Sequence, residues 1–296
     1  MKKSQFQSAV ARRVSILAMF AVCGAASAAD VYALTVQGNL IRFDTATPGS
    51  ITTIGGITGA GGAPNAYAGI DFRPATSKLY LVEASTASTL YTVNLGTAQV
   101  TFASTMSIGL AGGLYGIDFN PVPDRLRTTS SSGQNLRTNV DTGVVTMDGG
   151  LAYGAMDPNA GTTPSIVGSG YTNSLFGSIG GATTLFNIDA ATGNLVKQIP
   201  PNAGTLETIG ALGVVIGSEV GFDIYFNGLS NFAYASVQSP AGGVSNFYSI
   251  NLSTGAASLI GAVGGGVAIR DFSVIPSPAA AFGLLGGLGL VARRRR

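Results

Sequence analysis

From residue 30 to residue 275 the chain alternates apolar and polar positions in short runs, broken by Gly, Asn, Asp and Pro. No extended helical periodicity interrupts them. The pattern predicts an all-β body of short strands joined by tight turns. Two continuous apolar runs depart from it, residues 14–22 near the start and residues 279–292 near the end.

The alternation repeats. One element is a short strand, "AGIDFRP" at 68–74, "YGIDFNP" at 115–121, "VGFDIYF" at 220–226 and "AIRDFSV" at 268–274. A second is a hairpin, "TLYTVNLGTAQV", "NLRTNVDTGVV", "TLFNIDAATGNLV" and "NFYSINLSTGAASLI", with "NLIRFDTATPGSITTI" as a fifth copy. Asp141, Asp189 and Asn251 are expected to open its turns, with Gly143, Gly193 and Gly255 taking the positive-φ position. The hairpin leads Leu40, Leu90, Leu136, Leu185 and Phe247 recur about every fifty positions, the last interval being the longest. That spacing suits four strands per repeat, as in a propeller blade.

Four whole repeats can be written, at 67–105, 114–150, 165–200 and 212–262; the third, with "SIVGSGYTN", lacks the aspartate. The C-terminal "GVAIRDFSV" is a first strand without a hairpin, and the N-terminal "VYALTVQGNLIRFDTATPGSITTIG" is a hairpin without a first strand. Joined, they complete a fifth blade and remove the open edge. The expected fold is therefore an all-β, five-bladed β-propeller of four-stranded blades, closed by a blade shared between the two termini. A six-bladed ring and an open solenoid are the alternatives.

The two apolar runs divide the chain into three parts. Lys2, Lys3, Arg12 and Arg13 precede residues 14–22, and Ala26-Ser27-Ala28 is a small-x-small cleavage site, so residues 1–28 read as a signal peptide for the Sec export machinery and signal peptidase. The rival, a lipoprotein signal using Cys23, is disfavoured by Val22, where a small residue is required. Residues 29–275 are the repeat domain and 276–296 the tail. The tail's apolar run, 279–292, would span roughly 21 Å as a helix, short of the roughly 30 Å of a bilayer core. Arg293, Arg294, Arg295 and Arg296 would hold its end on the cytoplasmic side. A short permanent anchor is the plainer alternative to a temporary one.

With Pro276, Ser277 and Pro278 ahead of the run, the tail resembles a PEP-CTERM sorting signal, recognised by exosortases; serine stands where that signal carries glutamate. The resemblance implies an exosortase-like partner, transient membrane anchoring, removal of the tail, and delivery to the cell surface or extracellular matrix.

Charge changes the picture once the ends are set aside. Eight of the 16 basic residues lie in the two ends and all 14 acidic ones in the body, which leaves the body near −6. Nucleic acid is not an expected partner, because that mode needs clustered Lys and Arg. The chain has no histidine and no tryptophan, and its one cysteine lies in the leader. Histidine or cysteine metal sites, a Ser-His-Asp triad and a cysteine nucleophile are thus excluded from the body, and no cofactor is expected.

The body also resembles a family of secreted bacterial proteins known only as a domain of unknown function. The matching stretches are "GIDFRP", "GIDFNPVPDRLR", "GQNLRTNVDTG", "DPNAGTTP" and "GGGVAIRDFSV", within residues 31–274. The family carries no activity to transfer.

Two groups are candidate sites. Asp71, Asp118, Asp223 and Asp271 recur at one repeat position and would form a carboxylate ring able to take an oxygen-seeking cation; capping of backbone N–H groups within the blades is the stronger reading, so no metal is expected. Arg125, Arg127 and Arg137 cluster in one repeat, and their forks suit carboxylates, sulfates or sugar hydroxyls; the competing role is internal pairing with Asp118, Asp124 or Asp141. The "DTG"-type turns lack the alternating ligands of calcium loops. The expected function is that of an exported surface or matrix protein, a non-enzymatic binding or structural module for a polysaccharide or a surface protein. The alternative is a carboxylate-dependent glycoside hydrolase, for which the body offers Glu83, Glu207 and Glu219 besides its aspartates. An open central pocket with two carboxylates about 5–10 Å apart would mark that enzyme.

Overall fold

The structure is a computed structural model that describes residues 28–275 apart from residues 86, 176 and 178–180. The leader and the tail, with Pro276, Ser277, Pro278, Arg293, Arg294, Arg295 and Arg296, lie outside the described residues. Five small, separate sheets make a five-bladed propeller. The chain begins with β1 (Asp30–Thr35), β2 (Asn39–Asp44) and β3 (Thr47–Gly56). Blade I follows as β4 (Tyr67–Arg73), β5 (Lys78–Glu83), β6 (Thr89–Val93) and β7 (Val100–Thr105). Blade II is β8 (Tyr115–Asn120), β9 (Arg125–Ser130), β10 (Asn135–Thr138) and β11 (Val145–Met147). Blade III holds β12 (Ala152–Tyr153), β13 (Ile166–Tyr171), β14 (Leu185–Asp189), β15 (Asn194–Gln198) and β16 (Thr205–Ala211). Blade IV is β17 (Val220–Phe226), β18 (Asn231–Gln238), β19 (Ser245–Ile250) and β20 (Ala257–Ala262). The last strand, β21 (Ile269–Ile275), pairs antiparallel with β1, so blade V runs β21-β1-β2-β3. The closing blade is shared between the termini, with Asp30 opposite Ile275.

The innermost strands are β4, β8, β13, β17 and β21. Because the strands of a blade are antiparallel, the first-to-second and third-to-fourth connections share one face of the ring, called here the hairpin face. The blade-to-blade links share the opposite face. Residue 275 ends an innermost strand and residue 30 starts the strand paired to it, so both chain ends of the domain leave from the hairpin face.

Apolar residues fill the wedges between blades. Phe247 is the centre of one wedge, 5.3 Å from both Phe43 and Phe272 and stacked on Tyr234 at 5.4 Å. Tyr80 and Phe119 meet edge-on at 5.3 Å between blades I and II. Such blades are too thin to bury an apolar face alone and depend on their neighbours for it.

Blade III differs from its predicted layout. "TLFNIDAATGNLV" forms the second and third strands there, whereas the other hairpins form the third and fourth. The third repeat therefore extends to Ala211, and β12 adds a fifth strand parallel to β16. The strand that follows β13 in this blade is β14 itself, because no further strand forms among the described residues between Tyr171 and Leu185. The turns need one correction. Asn139, not Asp141, opens the blade II turn; Gly143 N–H donates to its carbonyl (2.8 Å), and its side chain accepts from Asp141 N–H (3.0 Å). Asp189 and Asn251 do open theirs, and Gly143, Gly193 and Gly255 have φ of 74°, 70° and 81°.

Deleting residues 30–55 is expected to leave β21 with an unpaired edge and to cause aggregation. Size-exclusion chromatography and a thermal melt check this; a monomer with unchanged melting would contradict closure by the termini.

Candidate functional site

The four recurring aspartates sit near the ring axis and are buried. Each reaches the backbone of the next blade. Asp271 accepts from Ile70 N–H (3.0 Å), Asp71 from Phe119 N–H (2.7 Å), Asp118 from Tyr171 N–H (2.8 Å) and Asp223 from Val274 N–H (2.6 Å). They cap backbone groups of their own strand, as the sequence suggested, with Asp223 accepting from Ile224 N–H (2.6 Å) and Asp271 from Phe272 N–H (2.9 Å), and of the neighbouring blade as well. A glycine makes one of these approaches possible: a Cβ on Gly69 would overlap Asp271 Oδ2. Blade III carries Gly170 at the aspartate position, and a Cβ there would already meet Ile224 Cγ1 at 2.9 Å. No carboxyl fits, and blades III and IV meet by close packing.

Three of the carboxyls share hydrogen bonds. The Ser273 hydroxyl bridges Asp71 (2.7 Å) and Asp223 (3.2 Å), and Asp118 hydrogen-bonds Asp71. Burial, then the charge of Asp223, pushes the Asp71 carboxyl up to about 8. Burial lifts Asp223 to about 6 and raises Asp118 and Asp271 well above the carboxylate range. The cavity beside Asp71, Asp118 and Asp223 measures about 10 Å³, room for roughly one water. Among the described residues no group of three or more acids is placed to hold a metal ion.

This part of the axis is thus closed to a substrate, and the three glutamates are engaged. Glu83 accepts from Gly62 N–H (3.1 Å), Glu207 pairs with Lys197 (2.9 Å), and Glu219 faces Arg270 at 3.5 Å on the opposite face from the hairpins.

The arginine-rich segment builds something different. Arg127 on β9 is 1% exposed and lies opposite Arg137 on β10. Its guanidinium donates to Asp148 (2.6 Å), Asn135 (2.7 Å), Asn202 (2.8 Å) and Tyr171 Oη (3.2 Å). Arg137 donates to both oxygens of the same Asp148, at 2.7 and 2.8 Å. Burial alone would raise the Asp148 carboxyl, but the hydrogen bonds from Arg137 and Arg127 outweigh it and hold it below the usual range. Arg125 is apart from both and folds onto the carbonyls of Pro123 and Asp124. Asp124 and Asp141 are both taken by Arg73 of blade I, at 2.6 Å each. Those hydrogen bonds, first Asp124 and then Asp141, raise the arginine's already high affinity for its proton.

Of the three sequence candidates only Arg137 lines a cleft. The cleft holds about 460 Å³ between blades II and III on the hairpin face, within the range of small-ligand sites. Asn120, Tyr171 and Asn202 line it with Arg137, and Pro123, Pro200 and Pro201 form apolar walls. The sequence reading missed Asp148, Tyr171 and Asn202. The double proline of "QIPPNAG" is the one signal in the sequence near Asn202, and nothing local ties it to an arginine in the preceding blade. A second cleft of about 540 Å³ opens on the same face between blades IV and V, lined by Phe232, Leu252 and Ile260 together with Thr45, Asn231 and Ser249.

The sequence matches the family described as Domain of unknown function (DUF4394) over residues 39–273. The chain belongs to the DUF4394 family. No curated protein matches this DUF4394 chain. Similar solved structures include a protein of unknown function from Bacteroides caccae, 12% identical with a TM-score of 0.48, covering 83% of this chain and 86% of the other. Another, from Lactobacillus plantarum, is 16% identical with a TM-score of 0.42 over 83% of this chain and 71% of the other. A Bacteroides uniformis protein titled "putative 6-phosphogluconolactonase" is 13% identical with a TM-score of 0.38, over 80% of this chain and 82% of the other. None of these likenesses bears on the chemistry of this DUF4394 domain.

Two outcomes are expected. Unfolded aspartates ionise near pH 4, so above that pH the native axis holds more protons than the unfolded chain. The stability this contributes is complete below about pH 4 and is lost as pH rises through about 6 and about 8. The melting temperature should therefore fall between about pH 5 and about pH 9, and Asp71→Asn, which stays neutral, should flatten that slope. An equally steep slope in the variant would rule out a protonated axis. In denaturant titrations, Arg127→Ala is expected to cost about 3 kcal/mol, since it leaves several buried polar groups unpaired, and Arg125→Ala less than about 0.5 kcal/mol.

Proposed function

We propose that this chain is an exported, surface-held binding module, without catalysis, that takes a glycan or a surface protein through the Arg137 cleft. The cleft carries the proposal. One guanidinium edge is held by Asp148 while the Arg137 side chain stays 29% exposed, and the rest of its fork is available to a carboxylate, sulfate or sugar hydroxyl. Asn120 and Asn202 add further polar groups, and the prolines offer flat apolar surface. That mixture of a few fixed polar groups and rigid apolar walls suits a polyhydroxyl ligand. The engagement of Glu83, Glu207 and Glu219 by partners, and the burial of the axial carboxyls, argue against the glycoside-hydrolase alternative.

Export is part of the proposal. Residues 1–28 would pass the chain to the Sec machinery and signal peptidase. Residues 276–296 would hold it in the inner membrane until an exosortase-like enzyme removes the tail and releases the domain to the cell surface or matrix.

Screening the full chain on immobilised acidic and neutral polysaccharides tests the binding reading. Arg137→Gln is expected to weaken the best binder at least about tenfold, the loss of one charge-assisted contact, and to lower the melting temperature less than Arg127→Ala does, since Arg127 still holds Asp148. Binding unaffected by Arg137→Gln would remove the cleft as the site.

A further inference from the structure

We infer that the hairpin face is the surface this protein lays against a phospholipid bilayer. The inference rests on the proposed membrane seating of the tail and adds the orientation of the domain and the residues that touch lipid. Topology gives the first argument. β21 finishes and β1 starts on the hairpin face, with Ile275 and Asp30 directly paired. The apolar run at residues 279–292 begins four residues beyond Ile275. Fully extended, that stretch reaches at most about 14 Å, so a seated tail brings this face, and not the opposite one, to the membrane.

The second argument is independent of the tail. Three blades carry the same short signature where the innermost strand turns back: Asn120-Pro121-Val122, Asn173-Ser174-Leu175 and Asn227-Gly228-Leu229. In blades II and IV the asparagine side chain accepts from the N–H of the aliphatic residue, at 3.0 Å for Val122 and 2.9 Å for Leu229. In those two blades the asparagine thus fixes the turn, whereas in blade III the Asn173 side chain bonds Asn231 and the Ala182 carbonyl. Val122 and Leu175 are each 40% exposed and Leu229 is 85% exposed. A lone exposed leucine needs no explanation. Three at equivalent tips around one face, on the side where both chain ends leave, form a set of apolar points fit for the interface between headgroups and acyl chains. The cleft with Phe232, Leu252 and Ile260 opens on this face too. So does the Arg137 cleft, whose ligand is then met in the layer next to the bilayer.

The test uses the full chain carrying Cys23→Ser, with a single nitrobenzoxadiazole dye on Leu229→Cys, on Val122→Cys, or on Val215→Cys. Val215 is 75% exposed and lies on the opposite face. Each labelled chain is reconstituted with phosphatidylcholine–phosphatidylglycerol vesicles whose acyl chains are brominated. The dyes at 229 and 122 are expected to lose about half their emission, as for groups seated within roughly the outer 5–10 Å of a leaflet, and the dye at 215 none. Chains that float with the vesicles but show no quenching at 229 and 122 overturn this orientation and leave the tail reading intact. Equal quenching at all three positions overturns it likewise. Chains that fail to float overturn both.

Discussion

Everything in this ring depends on a carboxyl from one innermost strand meeting a backbone N–H of the next. Innermost strands of neighbouring blades lie side by side but do not pair as a sheet, so their axis-facing N–H groups would be buried without partners. Aspartate is short enough to reach across and to be fixed by its own strand. Four of the five blade junctions are tied this way. The fifth uses fit instead: Gly168 lets Phe222 come within 2.7 Å of where its Cβ would stand, and Gly170 does the same for Ile224.

That device explains what the centre of the molecule does not do. Burial in a cluster raises these carboxyls' hold on their protons; they hydrogen-bond one another and leave a space for roughly one water. Ionising them costs stability, and a substrate cannot reach them. Polar opportunity moves outward, to the wedges between blades on the hairpin face. There a guanidinium is fixed at one edge and open at the other. Arg73 shows the opposite outcome on the same face, where two aspartates from the next blade close the arginine off.

The alternation of short strands, the recurring "GIDF" and "DTG" segments, and the complementary leftovers at the two ends determined an all-β repeat fold and favoured five blades closed by the termini over six blades or an open solenoid, because strand period, turn residues and repeat length are local properties. What those strands do to their neighbours was decided only in three dimensions. Blade III slipped by one strand, although the stretch from Tyr171 to Leu185 is nearly as long as the one that holds β9 in blade II, so length alone did not announce it. Asp71, Asp118, Asp223 and Asp271 were legible as structural, but their partners on the adjacent blades were not, because nothing in a strand's own sequence names the strand beside it. Arg125, Arg127 and Arg137 look alike and lie close together in the sequence, yet one lies on its own turn, one is buried and one lines a cleft. The residues that separate them are Asp148, Tyr171 and Asn202, two of them from the next blade. Burial and pairing across blades are set by how the ring closes, so only the tertiary structure could assign them.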